Sequence, residues 1–246
     1  QRELVRKSYG LDQPQPVQYV RWMGHVLRGN LGTSLRTRRT VNEELRLRLP
    51  VTIELTVLAA AIGSVPALAA GVVAAVRRNS ALDYAATVAT LVGISVPNFL
   101  LATLLVLVFS FWLRWLPPIG YVEFTMDPIG NLRTMILPAV SLALPFAAGF
   151  GAVFGVGLAA AFAIRNAALP ILTVAGIQVA GLLGGTVIVE TIFGLPGIGR
   201  YVYEAIANRD YPVVQGVTLV VAAAFVLVSL TVDVLYAVLD PRLRTR

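Results

Sequence analysis

Cysteine is absent from this 246-residue chain, and histidine and lysine occur once each, at His25 and Lys7. Without cysteine there are no disulfides, no thiolate zinc sites and no thiol nucleophile. A single histidine excludes His-rich metal sites and argues against a Ser-His-Asp triad. A P-loop needs Gly-Lys-Ser/Thr to cradle phosphates, and no glycine-rich loop precedes Lys7, so ATP hydrolysis by that route is excluded. Charge is scarce as well. Asp, Glu, Lys and Arg make up 13% of the chain, against about 25% in an average soluble domain.

What the chain has in plenty is apolar: 57% of its residues are hydrophobic, with 21 Gly and 14 Pro among the total. A soluble enzyme of this length needs polar surface along every element, and a disordered chain needs low hydrophobicity. Both classes are excluded, which leaves an integral membrane protein. The net charge of +7 reads as arginine flanking membrane spans, where it orients the protein and meets anionic head groups, rather than as a nucleic-acid surface.

Spanning about 30 Å of hydrocarbon takes about 20 helical residues. Five stretches qualify: Val51–Val76, Ala85–Leu113, Met135–Ile164, Ala167–Val189 and Val213–Leu239. They are continuously apolar and do not alternate, so helices are predicted rather than barrel strands. The fold class is therefore all-α, a polytopic transmembrane bundle over residues 51–239. It is preceded by an amphipathic extramembrane segment, 1–50, and followed by a short tail, 240–246. Pro66, Pro97, Pro138, Pro145 and Pro170 fall within these stretches. Gly151-x3-Gly155 and Gly181-x3-Gly185 have the spacing that permits close helix contact.

Gln15–Gly29 gathers Val17, Val20, Trp22, Met23, Val26 and Leu27 on one helical face, with Arg21, His25 and Arg28 elsewhere. This predicts a helix lying on a membrane surface or covering another subunit. Thr40-x-x-Glu43 has the form of a capping box opening a short helix that ends near Pro50. The chain begins Gln-Arg-Glu-Leu, with no signal peptide, and reads as a fragment whose true beginning is missing. The segments 77–84, 165–166 and 240–246 carry six Arg, whereas the longer 114–134 and 190–212 carry four. That density places the first set, with the C-terminus, in the cytoplasm.

A succession of motifs runs through this frame: Tyr9-Gly-Leu-Asp-Gln-Pro, Gly29-Asn-Leu-Gly-Thr-Ser34, Gly93-Ile-Ser-Val-Pro97 and Leu137-Pro-Ala-Val-Ser141. Then follow Arg165-Asn-Ala-Ala-Leu-Pro170, the stretch from Gly184 to Phe193, Pro196-Gly-Ile-Gly199, Arg209-Asp-Tyr-Pro212 and Asp233 to Arg242. In order and spacing they resemble the dipeptide/oligopeptide permease subunits of ABC importers, over nearly the whole chain. The resemblance implies an inner-membrane subunit of a bacterium or archaeon, not itself an enzyme and without a cofactor, catalytic residue or metal. A second permease subunit would complete the pore, two ATPase subunits would drive it by alternating access, and an extracytoplasmic binding protein would deliver peptides or related small solutes.

Candidate site residues follow. Glu190, Phe193, Pro196, Gly197 and Gly199 read either as a turn capping the bundle or, by the family pattern, as an external gate that meets the binding protein. Arg77, Arg78, Arg165 and Asn166 are candidates for the ATPase-facing side. Glu54 and Asp233 are ionisable residues within spans and are functional candidates for that reason, although both sit near span ends. The chain departs from the family in two places. It lacks a first span, and it lacks the charged cytoplasmic loop whose short helix docks on the ATPase, since Phe146–Ile164 runs directly into Arg165. Two rival readings stay open: a non-transporting permease remnant, and an ion-coupled carrier, for which two acidic residues leave little of a proton relay.

Overall fold

The computed structural model describes residues 13–77, 79–161 and 168–239. The helices are α1 (Gln15–Leu27), α2 (Val41–Val76), α3 (Ala81–Ser95), α4 (Asn98–Leu105), α5 (Pro128–Ala161), α6 (Ala168–Phe193), α7 (Ile198–Ala207) and α8 (Tyr211–Leu239). Among the described residues the only strand-like pairing is an isolated antiparallel bridge between Thr33 and Thr40. The expected all-helical membrane bundle is present. α2, α5, α6 and α8 are each long and apolar enough to cross a bilayer, and α3 with α4 and its continuation makes a fifth crossing if the bent pair is one span.

α5 is the central helix. It packs along α2 and also meets α3, α4 and α6. Its contact with α2 is close because both helices present small residues there. Ala59, Gly63 and Ala67 recur every fourth position on the buried face of α2. A Cβ on Gly63 would lie 2.7 Å from the Ala143 carbonyl, and one on Gly151 would lie 3.2 Å from that of Ala67. Lipid tails are as apolar as leucine, so such backbone approach supplies van der Waals contact where burial of greasy side chains gives little. Gly151 thus has the close-contact role its spacing predicted. Gly181 faces open space, and Gly185 packs against Asn98 and Leu142.

One expectation from sequence is corrected. The helix opened by Thr40 does not end at Pro50. The capping box forms as predicted, with Glu43 N–H donating to Thr40 Oγ1 at 3.3 Å and Thr40 N–H to Glu43 Oε2 at 3.4 Å. The helix then continues through Pro50 and Pro66 to Val76. Pro50 removes the bond to the carbonyl four residues back, on the exposed Arg46, where water can take its place. The second predicted span, with Pro97 inside it, is broken there. α3 and α4 meet at Val96–Pro97 with a bend of 97°. Proline disfavours helical geometry in the residue before it, and Val96 is accordingly extended, at ψ 119°. Beyond α4 the chain winds as a π-helix over Val106–Trp112.

The segment 29–40 is stitched to the start of α2. Leu31 N–H donates to Asn42 Oδ1, Asn42 Nδ2 donates to the Gly29 carbonyl, and Val41 N–H donates to that of Gly32. Gly29 and Gly32 adopt φ of 76° and 100°, which only glycine reaches without strain. This segment, the loop after Trp112 and the α6–α7–α8 corner all gather at one end of the bundle, opposite Arg77.

Candidate functional site

α7 begins at Gly197, whose lack of a side chain leaves the first free N–H groups of the helix without a local cap. Distant residues supply one. The Ile198 N–H donates to Thr52 Oγ1 at 3.0 Å, and the Arg200 N–H donates to Glu190 Oε2 at 2.9 Å. Thr52 in turn donates its hydroxyl proton to Glu190 Oε1 at 2.7 Å, and the Gly199 N–H and Thr186 hydroxyl also bond the same carboxyl. Glu190, Thr52 and Thr186 are all fully buried. A carboxyl at a helix N-terminus is favoured by the helix dipole as well as by these bonds. The glycines are required by proximity. A Cβ on Gly197 would strike the Glu190 carboxyl, and one on Gly199 would lie 2.6 Å from Val187 Cα. Leu195 N–H closes the turn on the Glu190 carbonyl at 2.9 Å.

Of the five residues read from sequence as a gate or a cap, Glu190, Phe193, Gly197 and Gly199 are buried and Pro196 is half-buried. They tie α6 and α7 to α2, and none of the four buried residues presents a surface to a partner. The exposed apolar side chains of this corner are Tyr203, Ile206 and Tyr211.

A second knot joins Ser34 and Asp210, 176 positions apart. Ser34 Oγ donates to Asp210 Oδ2 at 2.6 Å, and the Leu35 N–H donates to Oδ1 at 3.1 Å. Beside it Arg48 donates to Glu44 at 2.8 Å, and its guanidinium lies 4.6 Å from the centre of the Tyr201 ring. Ser34, Glu44, Arg48, Tyr201 and Asp210 line a small crevice of about 70 Å³. The Tyr201 hydroxyl is buried with no hydrogen-bond partner among the described residues. Burial first, then the nearby Glu44 and Asp210 carboxylates, push its pKa up to about 12.

Glu54 is half-buried and accepts the Tyr121 hydroxyl proton at 3.0 Å. Tyr121 lies in the loop after Trp112; burial and this carboxylate push its phenol up to about 12. The neighbouring Gly120 N–H donates to the Phe193 carbonyl at 3.1 Å, so that loop is pinned to the end of α6. Asp233 is exposed on α8 and makes no ion pair among the described residues. Arg77 is exposed at the far end of α2 and caps it, its N–H donating to the Val73 carbonyl. Arg78, Arg165 and Asn166 lie outside the described residues. The structure does not bring Arg77 together with either knot.

Within the bundle, a cavity of about 330 Å³ opens between the α3–α4 bend, α5 and α6. Ile94, Leu142, Pro145, Phe146 and Leu182 give it an apolar wall, and among the described residues its polar side chains are Asn98 and Gln178. Gln178 Nε2 lies over Gly149, where a Cβ would collide with it, and reaches the Phe146 carbonyl at 3.5 Å. Asn98 sits against Gly185, and its amide has no protein partner among the described residues. Among the described residues no cluster of three or more His, Asp or Glu could hold a metal ion.

Sequence reasoning missed Thr52, Asp210 and the cavity pair. Thr52 and Asp210 act across 138 and 176 positions, and no local pattern signals that. Asn98 and Gln178 carried a usable signal, since each is a lone amide in an apolar run, where polar side chains mark functional interiors.

Residues 157–245 match the family described as binding-protein-dependent transport system inner membrane component. Over 98% of this chain and 84% of its own length, a protein of Brucella abortus strain 2308 named for a peptide transport system permease is 40% identical. One of Sinorhizobium fredii named for a peptide ABC transporter permease is 37% identical over the same shares. The dipeptide transport system permease protein DppB of Alkalihalophilus pseudofirmus is 38% identical over 98% of this chain and 85% of its own. The first of these alignments runs over 265 positions against a chain of 246, so that relative carries internal residues which this chain lacks. This chain is a multi-pass membrane protein of the binding-protein-dependent transport inner-membrane family, a permease subunit of the peptide-transport type.

Proposed function

We propose that the chain forms half of the translocation pathway of an ABC importer for peptides or related small solutes in a bacterial inner membrane. The observation that carries this reading is 40% identity, over 98% of the chain, to a protein named for peptide transport. A second permease subunit completes the pathway, two ATPase subunits act at the Arg77 end, and a binding protein delivers cargo at the opposite end. Arg78, Arg165 and Asn166 share the ATPase side in this reading. The arginine density of the short loops supports that sidedness. So does the gathering of the three long segments at one end of the bundle.

Alternating access asks the helices to hold two arrangements whose balance ligands and ATP shift. The Glu190 and Asp210 knots make the binding-protein end a stiff corner that moves as one piece. Peptides then pass along the α3–α5–α6 side of the bundle, where the cavity lies. Pro196 and the exposed Tyr203, Ile206 and Tyr211 form the external gate, with the buried Glu190, Phe193, Gly197 and Gly199 holding it in position.

One observation favours a second reading, that of a non-transporting remnant: the relatives carry an internal stretch that this chain lacks. If that stretch is the docking loop before Arg165, contact with an ATPase is weakened. The test is co-purification with the neighbouring ATPase subunits, followed by peptide-stimulated ATP hydrolysis in reconstituted vesicles. Stimulated hydrolysis is the expected result. Failure to retain any ATPase selects the remnant.

A further inference from the structure

Non-helical backbone at membrane depth is tolerated only where it is buried in protein or lines a water-filled cavity. The break between α3 and α4 falls in the middle of an apolar stretch, and one of its flanking residues, Asn98, lines the 330 Å³ cavity. The bend leaves the last carbonyls of α3 and the first N–H groups of α4 outside any helix ladder. Asn98 and Gln178 add two amide side chains to this wall, each with a carbonyl acceptor and an NH2 donor. Glycine at 149, 181 and 185 keeps the α5 and α6 backbones close to the space. Among the described residues that line it, none is charged.

We infer that this cavity is a transit subsite for the peptide unit itself, with Asn98 and Gln178 hydrogen-bonding the backbone amide of the passing cargo. The inference rests on the peptide-importer reading above. An amide side chain is the complement of a peptide group, and each offers what the other accepts; Asn98 beside Gly185 and Gln178 beside Gly149 set two such groups along the cavity wall. Their neutrality matters as much as their polarity. A fixed charge here would select among cargo side chains and termini, whereas an amide pair grips the one group that every peptide shares. The volume lies at the small end of the range of ligand sites, about 300–1,000 Å³, and suits one peptide unit with its flanking side chains rather than a long chain.

The test uses the cysteine-free background of this chain. Gly181 lines the cavity and a Cβ there meets nothing within 4 Å, so Gly181→Cys places a thiol in it without a clash. In liposomes holding the full complex, a charged, water-soluble thiosulfonate should label this thiol. It should leave Leu227→Cys, on the exposed apolar face of α8, unlabelled. Dialanine at about four times the Kd of a millimolar site should slow the labelling by about fivefold, and alanine at equal concentration should not. Adding Asn98→Leu and Gln178→Leu to Gly181→Cys should abolish the protection while the labelling persists, which also reports that the cavity still forms. No labelling at Gly181→Cys would overturn the inference, as would equal protection by alanine and dialanine, or protection that survives both leucine substitutions. Loss of ATPase binding with dialanine protection intact would instead sink the importer reading and leave the subsite standing.

Discussion

Glu190 shows how one side chain settles a local structure that sequence alone leaves open. Its carboxyl caps a helix that it does not belong to, and Thr52 links it to a third. Removing a partner from a buried group costs about 1–3 kcal/mol. Thr52→Val deletes a donor and an acceptor while keeping shape, so it should lower stability by about that much, read as a fall in the detergent melting temperature. Glu190→Ala should fall further, because it strands the Arg200 N–H and the Thr52 hydroxyl together. Gly199→Ala forces a methyl against the Val187 backbone and should cost about 1–3 kcal/mol, as overpacking does. Tyr201 supplies the pH-dependent counterpart. Its folded pKa of about 12 lies above the ordinary 10, so the stabilisation it gives is complete below pH 10 and is lost as pH rises from there through 12. An absorbance titration of tyrosinate should show a late-ionising component that shrinks in Tyr201→Phe.

Among the helices, those with sharp sequence signals are where reading and structure agree. The capping box at Thr40 and the long apolar run of α8 were legible, because caps and apolar runs are local features. The stop at Pro50 was misread. Proline removes one backbone bond but does not end a helix whose neighbouring carbonyl water can reach. The bend at Pro97 was legible only as a proline, since its angle is set by how α3 and α4 pack on α5. The Ser34–Asp210 knot had no signal beyond two motifs of unknown relation, and it sets the position of a whole segment. Asp210→Ala frees the turn that carries Arg36, Arg38 and Arg39 from the α8 corner, so trypsin should cut there several-fold faster than in the wild-type chain. α1 buries none of its residues, with Val20 and Leu27 strongly exposed. Lipids brominated near the head group should quench Trp22 if this face lies on the membrane, as its basic polar side favours. Insensitivity would assign the face to another subunit.

At the level of the whole molecule, fold class and family were legible because composition and ordered motifs are global properties that survive ignorance of any contact. The candidate site was legible only in outline. Glu190 and its glycines stood out in the sequence, but their burial could not be read from a pattern. The internal shortening relative to the relatives yields a prediction at this scale. Inserting before Arg165 the internal stretch that a peptide-permease relative carries and this chain lacks should raise ATPase co-purification well above that of the natural chain. An unchanged yield would place the missing residues elsewhere.

The elbow at Pro97 also bears on the surrounding lipid. Taken as one span, the bent pair has two arms of 15 residues, the second ending in the π-helix, and at about 1.5 Å per residue and this bend they reach at most about 30 Å from end to end. That equals an average hydrocarbon thickness and leaves no slack. A straight helix that is too long for its bilayer can lean over, but one folded nearly at a right angle cannot lengthen without opening its bend. Thicker, sterol-like or long-chain bilayers therefore pull on the elbow and thinner ones relax it. Acyl-chain length thus becomes a mechanical input to the same joint that borders the cavity.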